Sequence, residues 1–447
     1  MQATPYRDER LPRYTSYPTA PHFNAGVDGA CYSGWLKALA AGTTTSLYLH
    51  VPFCRSMCWY CGCHTTVALR NGPIVDYLAA LRGEIALVAE QLSAPLDVRH
   101  VHFGGGTPTI LEPADFAALV ALLRQRFAVH PQAEIAVEID PRRLDPAMTA
   151  ALAGAGVNRA SLGVQSFDPV VQKAINRIQS VEQTAAVVTG LRAAGIGAVS
   201  FDLIYGLPKQ TLQSCLDTVE QCLELLPDRF SIFGYAHVPE FKKHQRRIAT
   251  ADLPDGEERH EQAEAMAQSL ADAGYVRIGL DHFARPDDPM ARAQSEGRLR
   301  RNFQGYTTDP CEALIGFGAS AIGRLPQGYI QNEVVIGRYA ERIADSALPA
   351  ARGYRLTSED RLRAELIERV MCDLAVDIDD VCARHPIDAG ILASSRRELG
   401  QLAQEGLVSF DGSRVRLPED SRLFVRKVAS VFDAYMERSP RQYSRAV

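Results

Sequence analysis

A basic excess is missing from this 447-residue chain: 48 lysines and arginines face 53 aspartates and glutamates, a formal charge of -5. Phosphate backbones are bound by cationic faces, so a nucleic acid is excluded as the main partner, whereas a small acidic ligand in a local basic pocket is not. Long apolar runs are missing too. No stretch approaches the roughly 18 to 20 apolar residues that cross a bilayer, which excludes membrane insertion by a helix. The opening "MQATPYRDERLPRYTSYPTAPH" lacks the apolar core of a secretory leader, so the expected compartment is the cytoplasm. Internal repeats and low-complexity tracts are also lacking, which leaves a globular chain of ordinary composition, long enough for two or three domains.

Cysteine, by contrast, is plentiful. Four of the ten fall within "CRSMCWYCGC", Cys54 to Cys63. A reducing cytoplasm keeps thiols apart, so clustered cysteines there point to metal ligands or catalysts rather than disulfides. Cys31, Cys215, Cys222, Cys311, Cys372 and Cys382 are scattered through apolar surroundings and read as small core residues.

From residue 46 to about 236, short apolar runs alternate with amphipathic helices. The runs are "SLYLHV", "VRHVHF", "EIAVEI", "VNRASLGV", "AVSFDLIY" and "RFSIFGYAHV". Six strands alternating with helices predict parallel β-α units. Between the first two, Ile74, Leu78, Leu81, Ile85, Val88 and Leu92 are spaced four and three apart behind Pro73, the pattern of one buried helix face. The unusual polar features all fall on the carboxyl side of their strands: the cysteine loop, "GGGTP", Glu138, Gln165, Asp202 and "AHVP". A site drawn from many strand ends belongs to an α/β barrel, full or partial, whereas a doubly wound sheet concentrates its site at one crevice.

Beyond residue 240 the rhythm changes. Residues 281–310 are charged and aperiodic and read as a long loop, either a lid or disordered. From about 338 the chain reads as helical, ending in a hairpin that turns on Asp411-Gly412. Helices followed by a hairpin resemble a winged helix. Acidic residues outnumber basic ones there, 16 against 12 over 358–438, so a structural or docking role is expected instead of DNA binding.

Cys54, Cys58 and Cys61 form C-x3-C-x2-C after the first strand. A structural zinc site pairs one cysteine hook with a distant second one, and no second hook is evident. Three thiolates on one loop can instead hold three irons of a cubane and leave the fourth open. Zinc remains the rival reading. Gly104, Gly105 and Gly106 fit either a tight strand-to-helix turn or a backbone brought close to a ligand.

The three-cysteine spacing resembles the radical S-adenosylmethionine (SAM) superfamily. The longer words "PRYTSYPTAPHF", "SLYLHVPFCRSMCWYCGCH", "HFGGGTPT", "SLGVQSF", "DLIYGLPKQT", "YAHVP", "DHFARPDD" and "RNFQGYTT", together with the terminal "QYSRAV", resemble its oxygen-independent coproporphyrinogen III oxidase family along essentially the whole chain. The resemblance implies an α/β fold: a partial (β/α)6 radical SAM barrel with an N-terminal arm and a mostly helical, winged-helix-like C-terminal domain. The corresponding divisions are an arm or lid at 1–30, a catalytic domain at 31–337 and a helical domain at 338–447.

It further implies one 4Fe-4S cluster on Cys54, Cys58 and Cys61, with Cys63 outside the ligand set, and two SAM molecules. Residues matching the family's contacts to the first are Tyr48, Gly105 and Glu138. Those matching the second are Tyr60, Gly106, Thr107, Gln165, Arg177, Asp202, Ala236 and Ile322, with Tyr60 standing where the family has phenylalanine. The implied reaction cleaves SAM to methionine and a 5'-deoxyadenosyl radical, and converts two propionates of coproporphyrinogen III to vinyl groups with loss of CO2. Its partners would be that substrate and an unidentified electron donor and acceptor, the working unit a monomer.

The arm, with Arg13, Tyr14, Tyr17 and Pro18, would close over the site. Since the substrate carries four carboxylates, Arg13, Arg285, Arg300 and Arg301 are candidates to hold them. Three other readings stay open: a haem-trafficking protein on the same scaffold, a radical SAM methyltransferase, and a zinc-stabilised winged-helix regulator. Relatives that traffic haem typically lack the "RYTSYPT" arm and the "CGC" ending, both present here.

Overall fold

The computed structural model describes residue 6 and residues 9–436; the terminal word at 442–447 lies outside them. The main-sheet strands, numbered in chain order, begin with the six that the alternation predicts: β1 (Thr44–Val51), β2 (Asp97–Gly105), β3 (Ala128–Ile139), β4 (Arg159–Gln165), β5 (Ala198–Tyr205) and β6 (Arg229–Gly234). They are followed by β7 (Val276–Ile278), β8 (His282–Ala284), β9 (Ala313–Phe317), β10 (Ile322–Leu325), β11 (Gly328–Asn332) and β12 (Ala350–Arg355). Their order across the sheet is β12-β11-β10-β9-β1-β2-β3-β4-β5-β6-β8-β7. β1 to β6 pair in parallel, β9 joins β1 in parallel, and the remaining strands extend both edges antiparallel. The sheet has two free ends and curves about one interior, so the barrel is partial.

Local signals place the crossover helices. Gly72–Gln91 buries Ile74, Leu78, Leu81, Ile85 and Val88, the face its spacing predicts. Helices Val181–Ala193, Leu212–Glu224, Gly256–Asp272 and Ser358–Asp373 each begin with a reciprocal capping box, which satisfies orphan N–H groups at the first turn. Glu84 of the first crossover helix breaks the apolar pattern. Its carboxylate accepts from the Gly318 amide at 2.6 Å, Asn332 Nδ2 at 2.6 Å and the Tyr339 hydroxyl at 2.7 Å, tying the helix to the turn after β9, to β11 and to helix Ile336–Ala344. Burial pushes its pKa up to about 7, against those hydrogen bonds.

Two expectations change. Residues 281–310 are neither disordered nor an unstructured lid: they hold β8, helix Pro289–Ser295 and a hairpin of Arg300–Asn302 with Gly305–Thr307. Each element is too short to show a period, although Asp288 before Pro289 is a helix-start signal, and its carboxylate does cap Met290. The chain beyond 338 is not continuously helical, because after helix Ile336–Ala344 β12 returns to the sheet edge before the helical unit starts at Ser358. β9, parallel to β1, also went unpredicted; "ALIGF" carries no helical crossover of its own type around it.

The helical unit runs helix Ser358–Asp373, strand Ala375–Asp377, helices Ile378–Ala383 and Ala393–Gln404, then the hairpin Ser409–Phe410 with Arg414–Arg416. The last hairpin strand lies between the other two, the winged-helix arrangement. The arm is packed. Tyr14 and Tyr17 are buried; the Tyr14 hydroxyl donates to Asp433 at 3.1 Å, and the Ala434 amide donates to the Tyr17 hydroxyl at 2.9 Å. Arg13 Nη2 donates to the Gly234 carbonyl at 3.3 Å, which lays the arm across the carboxyl end of β6.

Candidate active site

Beyond β1 the chain makes a two-residue strand, Phe53–Cys54, and then the cysteine loop. The loop is fixed through its backbone. Asn176 Nδ2 donates to the Met57 carbonyl at 2.9 Å, the Trp59 amide to the Ile175 carbonyl at 2.9 Å, and Gln245 Nε2 to the Tyr60 carbonyl at 3.0 Å. His244 Nε2 meets the Cys61 carbonyl at 2.7 Å, and Lys242 Nζ donates to that of Cys63 at 2.9 Å. Sequence reasoning missed this clamp, because residues 242–245 open a five-residue 3-10 turn, Lys243–Arg247, too short to show a period.

Polar groups surround the thiols. Thr65 Oγ1 donates to Cys54 Sγ at 3.4 Å, and Thr107 Oγ1 lies at 3.4 Å from it. Arg177 Nη1 and Arg142 Nη2 donate to Cys58 Sγ at 3.5 and 3.6 Å. Asp140 holds both arginines, at 2.6 Å for Arg142 and 3.4 Å for Arg177. Arg177 follows helix Pro169–Ala174 and is buried. Burial opposes its charge, yet Tyr60, Asp140 and Cys58 raise its pKa above the usual guanidinium value. Hydrogen bonding by Cys63 brings the Cys61 thiol down to about 7, and Cys63, the partner, is pushed well up.

These thiols suit a polynuclear group better than a single ion. Sulfurs about 2.3 Å from one tetrahedral zinc lie under roughly 4 Å apart. Among the described residues, His100, Asp309 and Cys311 form the one donor trio within 4.8 Å of one another; no three of the loop thiols approach so closely. Positive and hydroxyl donors directed at Cys54 and Cys58 stabilise an anionic centre held there.

The glycine turn has a packing cause. A Cβ at Gly106 would sit 2.5 Å from the Phe53 carbonyl oxygen and 2.6 Å from Thr65 Oγ1. Gly105 has φ +110°, and a Cβ there would meet the His50 ring at 2.7 Å. The amides are also committed: Gly105 donates to Glu138 at 3.1 Å, Gly106 to the Val51 carbonyl at 2.8 Å and Thr107 to that of Phe53 at 2.8 Å. The tight turn against the cysteine loop therefore explains the triplet.

Glu138 also accepts from His102 Nε2 at 3.1 Å. Burial opposes its ionisation, and the His102 bond and charge with the Gly105 amide more than offset this, so its pKa falls below the usual carboxylate value. Asp202 accepts from Ser161 Oγ at 3.0 Å and is pushed up to about 6, first by burial and then by Glu138. His102, Ser161, Asp140 and Arg142 escaped the sequence reading, though the period-two alternation of β2 and β4 could have put the first two on the interior face.

One cavity of about 560 Å³ brings together Cys54, Cys58, Cys61, Gly105 and Glu138 with Tyr60, Gly106, Thr107, Gln165, Arg177, Asp202 and Ala236. Tyr48 and Ile322 line a neighbouring cavity of about 300 Å³, which also meets Cys63, Gly105 and Glu138. Ile322 thus stands apart from the other residues matched to the second SAM and beside those matched to the first. Of the four candidate arginines, Arg13 and Arg301 line a smaller pocket behind β6. Arg300 is half-exposed and pairs with Glu368 at 3.2 Å, and Arg285 lies near Asp287 at 3.7 Å on the surface.

Comparison with known proteins agrees with this geometry. The radical SAM superfamily pattern matches residues 48–222, and that of the HemN C-terminal domain matches 356–424. An oxygen-independent coproporphyrinogen III oxidase of Bradyrhizobium diazoefficiens is 61% identical over 445 residues, covering 100% of this chain and 99% of its own. The enzyme of that name from Paracoccus denitrificans is 43% identical, covering 96% and 95%. The solved structure of coproporphyrinogen III oxidase (HemN) from Escherichia coli, described as a radical SAM enzyme, superposes with a TM-score of 0.91 at 36% identity, covering 96% of this chain and all of that one. With a three-thiol loop at the mouth of a partial barrel and identity along its full length, the chain belongs to the oxygen-independent coproporphyrinogen III oxidase family of the radical SAM superfamily.

Proposed function

We propose that the chain converts two propionate side chains of coproporphyrinogen III to vinyl groups, giving protoporphyrinogen IX. Each conversion releases CO2, one hydrogen atom and one electron, so the balance requires a hydrogen acceptor and an electron acceptor. When bound, a 4Fe-4S cluster and SAM supply that hydrogen-abstracting chemistry. The observation that carries the reading is the single cavity into which three loop thiols, a glutamate held ionised and a half-buried aspartate all project.

Cys54, Cys58 and Cys61 are assigned as cluster ligands, with Arg142 and Arg177 offsetting the negative charge beside Cys58. Glu138, kept anionic by His102, suits a cationic sulfonium or ribose hydroxyls. Asp202, helped by Ser161, His282 and Ser231 but still raised by burial, gains from any hydroxyl or cation that enters. We assign Tyr48, Gly105, Glu138 and Ile322 to one SAM and Tyr60, Gly106, Thr107, Gln165, Arg177, Asp202 and Ala236 to the other, following the two cavities. Since the Gly105 and Gly106 amides are engaged, these glycines contribute carbonyls and clearance. The packed arm limits water and stray hydrogen donors at the mouth.

All these groups come from one chain, so we take the monomer as the working unit. No described helix is long and apolar enough to cross a membrane, and we place the reaction in the cytoplasm, where thiols stay reduced. Anaerobic incubation of the iron-loaded protein with a reductant, SAM and coproporphyrinogen III tests the reading. Protoporphyrinogen IX, CO2, methionine and 5'-deoxyadenosine are expected together. Unchanged tetrapyrrole, with SAM cleaved or not, contradicts it.

A further inference from the structure

Five arginines from five separate segments converge behind the end of β6: Arg13 of the arm, Arg259 of helix Gly256–Asp272, Arg277 of β7, Arg301 of the 300–307 hairpin and Arg426 of helix Val425–Ser430. They line a cavity of about 60 Å³ whose other walls are largely aromatic and aliphatic; among its described lining residues Asp281 is the one carboxylate. Like charges gathered away from water repel, and an anion entering the group relieves them.

Some of this charge is answered locally. Arg277 pairs with Glu264 at 3.0 Å, and Asp281, engaged by His282 Nδ1 at 2.8 Å, offsets part of the charge of Arg13, Arg301 and Arg426. Arg259 Nη1 donates to the Tyr235 carbonyl at 3.0 Å. Arg301 stacks on Tyr306 at 4.4 Å and donates from Nη2 to the Arg13 carbonyl at 3.2 Å, while its buried Nε and Nη1 meet no hydrogen-bond acceptor. Arg426 donates to the Leu11 carbonyl at 3.1 Å and is pushed down to about 10, by burial first and then by Arg13.

The pocket and the large thiol-bearing cavity share Arg13, Phe233, Gly234 and Tyr235. An anion among the arginines can therefore belong to a molecule whose body fills the larger space. A volume of about 60 Å³ takes a carboxylate but not a ring system. Guanidinium forks stabilise a carboxylate as an anion, which opposes its departure as CO2 and suits a group that only anchors.

We infer that this pocket binds a propionate carboxylate of the tetrapyrrole that is not the one being lost, through Arg13, Arg301 and Arg426. The inference rests on the proposed substrate. Its probe is coproporphyrin III, the oxidised tetracarboxylate, titrated by fluorescence quenching into the iron-loaded protein under argon, with the dicarboxylate protoporphyrin IX and SAM titrated in parallel. Arg301→Met and Arg426→Met should each weaken coproporphyrin III about tenfold or more, since a charged hydrogen bond is lost from a desolvated site. Their preference for the tetracarboxylate over the dicarboxylate should shrink, and SAM affinity should stay within about twofold.

Arg301→Lys keeps the charge without the fork and should fall between wild type and Arg301→Met; it decides the matter if a methionine variant fails to fold. Unchanged coproporphyrin III affinity in the folded variants overturns the inference, as does an unaltered preference between the two porphyrins. Failure of the functional reading looks different: the wild-type protein would then release no CO2 from coproporphyrinogen III, whatever the porphyrin affinities.

Discussion

The interior of the sheet carries charge at both ends, arranged in opposite ways. At the amino end the groups close on one another. Arg159 meets Glu134 at 2.9 Å, Arg229 meets Asp288 at 2.8 Å with both side chains buried, and His100 lies 3.7 Å from Asp309, which also accepts from Ser46. At the carboxyl end, Glu138, Asp202, Arg177 and the loop thiols face a cavity of about 560 Å³. Registers Ser200↔Arg229 and Asp202↔Ser231 show that the two ends share one face, two residues apart. Buried charge alone therefore does not mark the site. Charge turned toward space, with a carboxylate pushed up to about 6 for want of a strong partner, does.

The comparison predicts a sharp split between function and stability. The largest effect belongs to Cys58→Ala, which should abolish iron loading and product formation while leaving the far-ultraviolet circular dichroism unchanged; retained iron and turnover would break the assignment. Next is Arg229→Met, which strands Asp288 and should cost about 3 to 5 kcal/mol of unfolding free energy, because removing one partner leaves an uncompensated buried charge. Asp202→Asn should do the reverse, with SAM affinity falling and stability equal or higher. Equal destabilisation by both variants would erase the distinction between the two ends.

A subtler effect is in pH dependence. Asp202 has a higher pKa folded, about 6, than unfolded, so between about pH 4 and 6 the folded state binds more protons. The contribution of Asp202 to stability should fall as pH rises through that window, and the penalty should persist above it. Asp202→Asn removes this slope, while Glu84 titrates in both proteins and cancels in the difference. Urea midpoints measured across the window under argon check this; parallel curves would mean that Asp202 is not perturbed. The smallest effect belongs to Arg285→Ala. Its surface pairing with Asp287 at 3.7 Å should contribute under about 0.5 kcal/mol, with porphyrin affinity unaltered.

Much of this was legible in the sequence where period or punctuation exists. The six alternating apolar runs gave β1 to β6, and polar residues at their carboxyl ends pointed to the mouth that Glu138, Gln165 and Asp202 do line. The cysteine spacing located the loop. What stayed hidden depends on contacts far apart in the chain. β9 gains its place by pairing with β1 across more than two hundred residues, and Glu84 is a core hydrogen-bond hub inside an otherwise apolar helix face. The clamp at Lys242, His244 and Gln245 works through backbone carbonyls of the cysteine loop, which no side-chain pattern records. The arginine pocket draws one residue from each of five segments, so no local window contains it.

The central claim is that three loop thiols hold a cluster with one iron left for SAM. Mössbauer spectroscopy of the iron-loaded, air-protected protein, with and without SAM, tests it most directly. The account predicts a 4Fe-4S spectrum in which one iron site shifts when SAM is added and the others do not. A zinc-filled, iron-free site, or a cluster whose iron sites all ignore SAM, would contradict it.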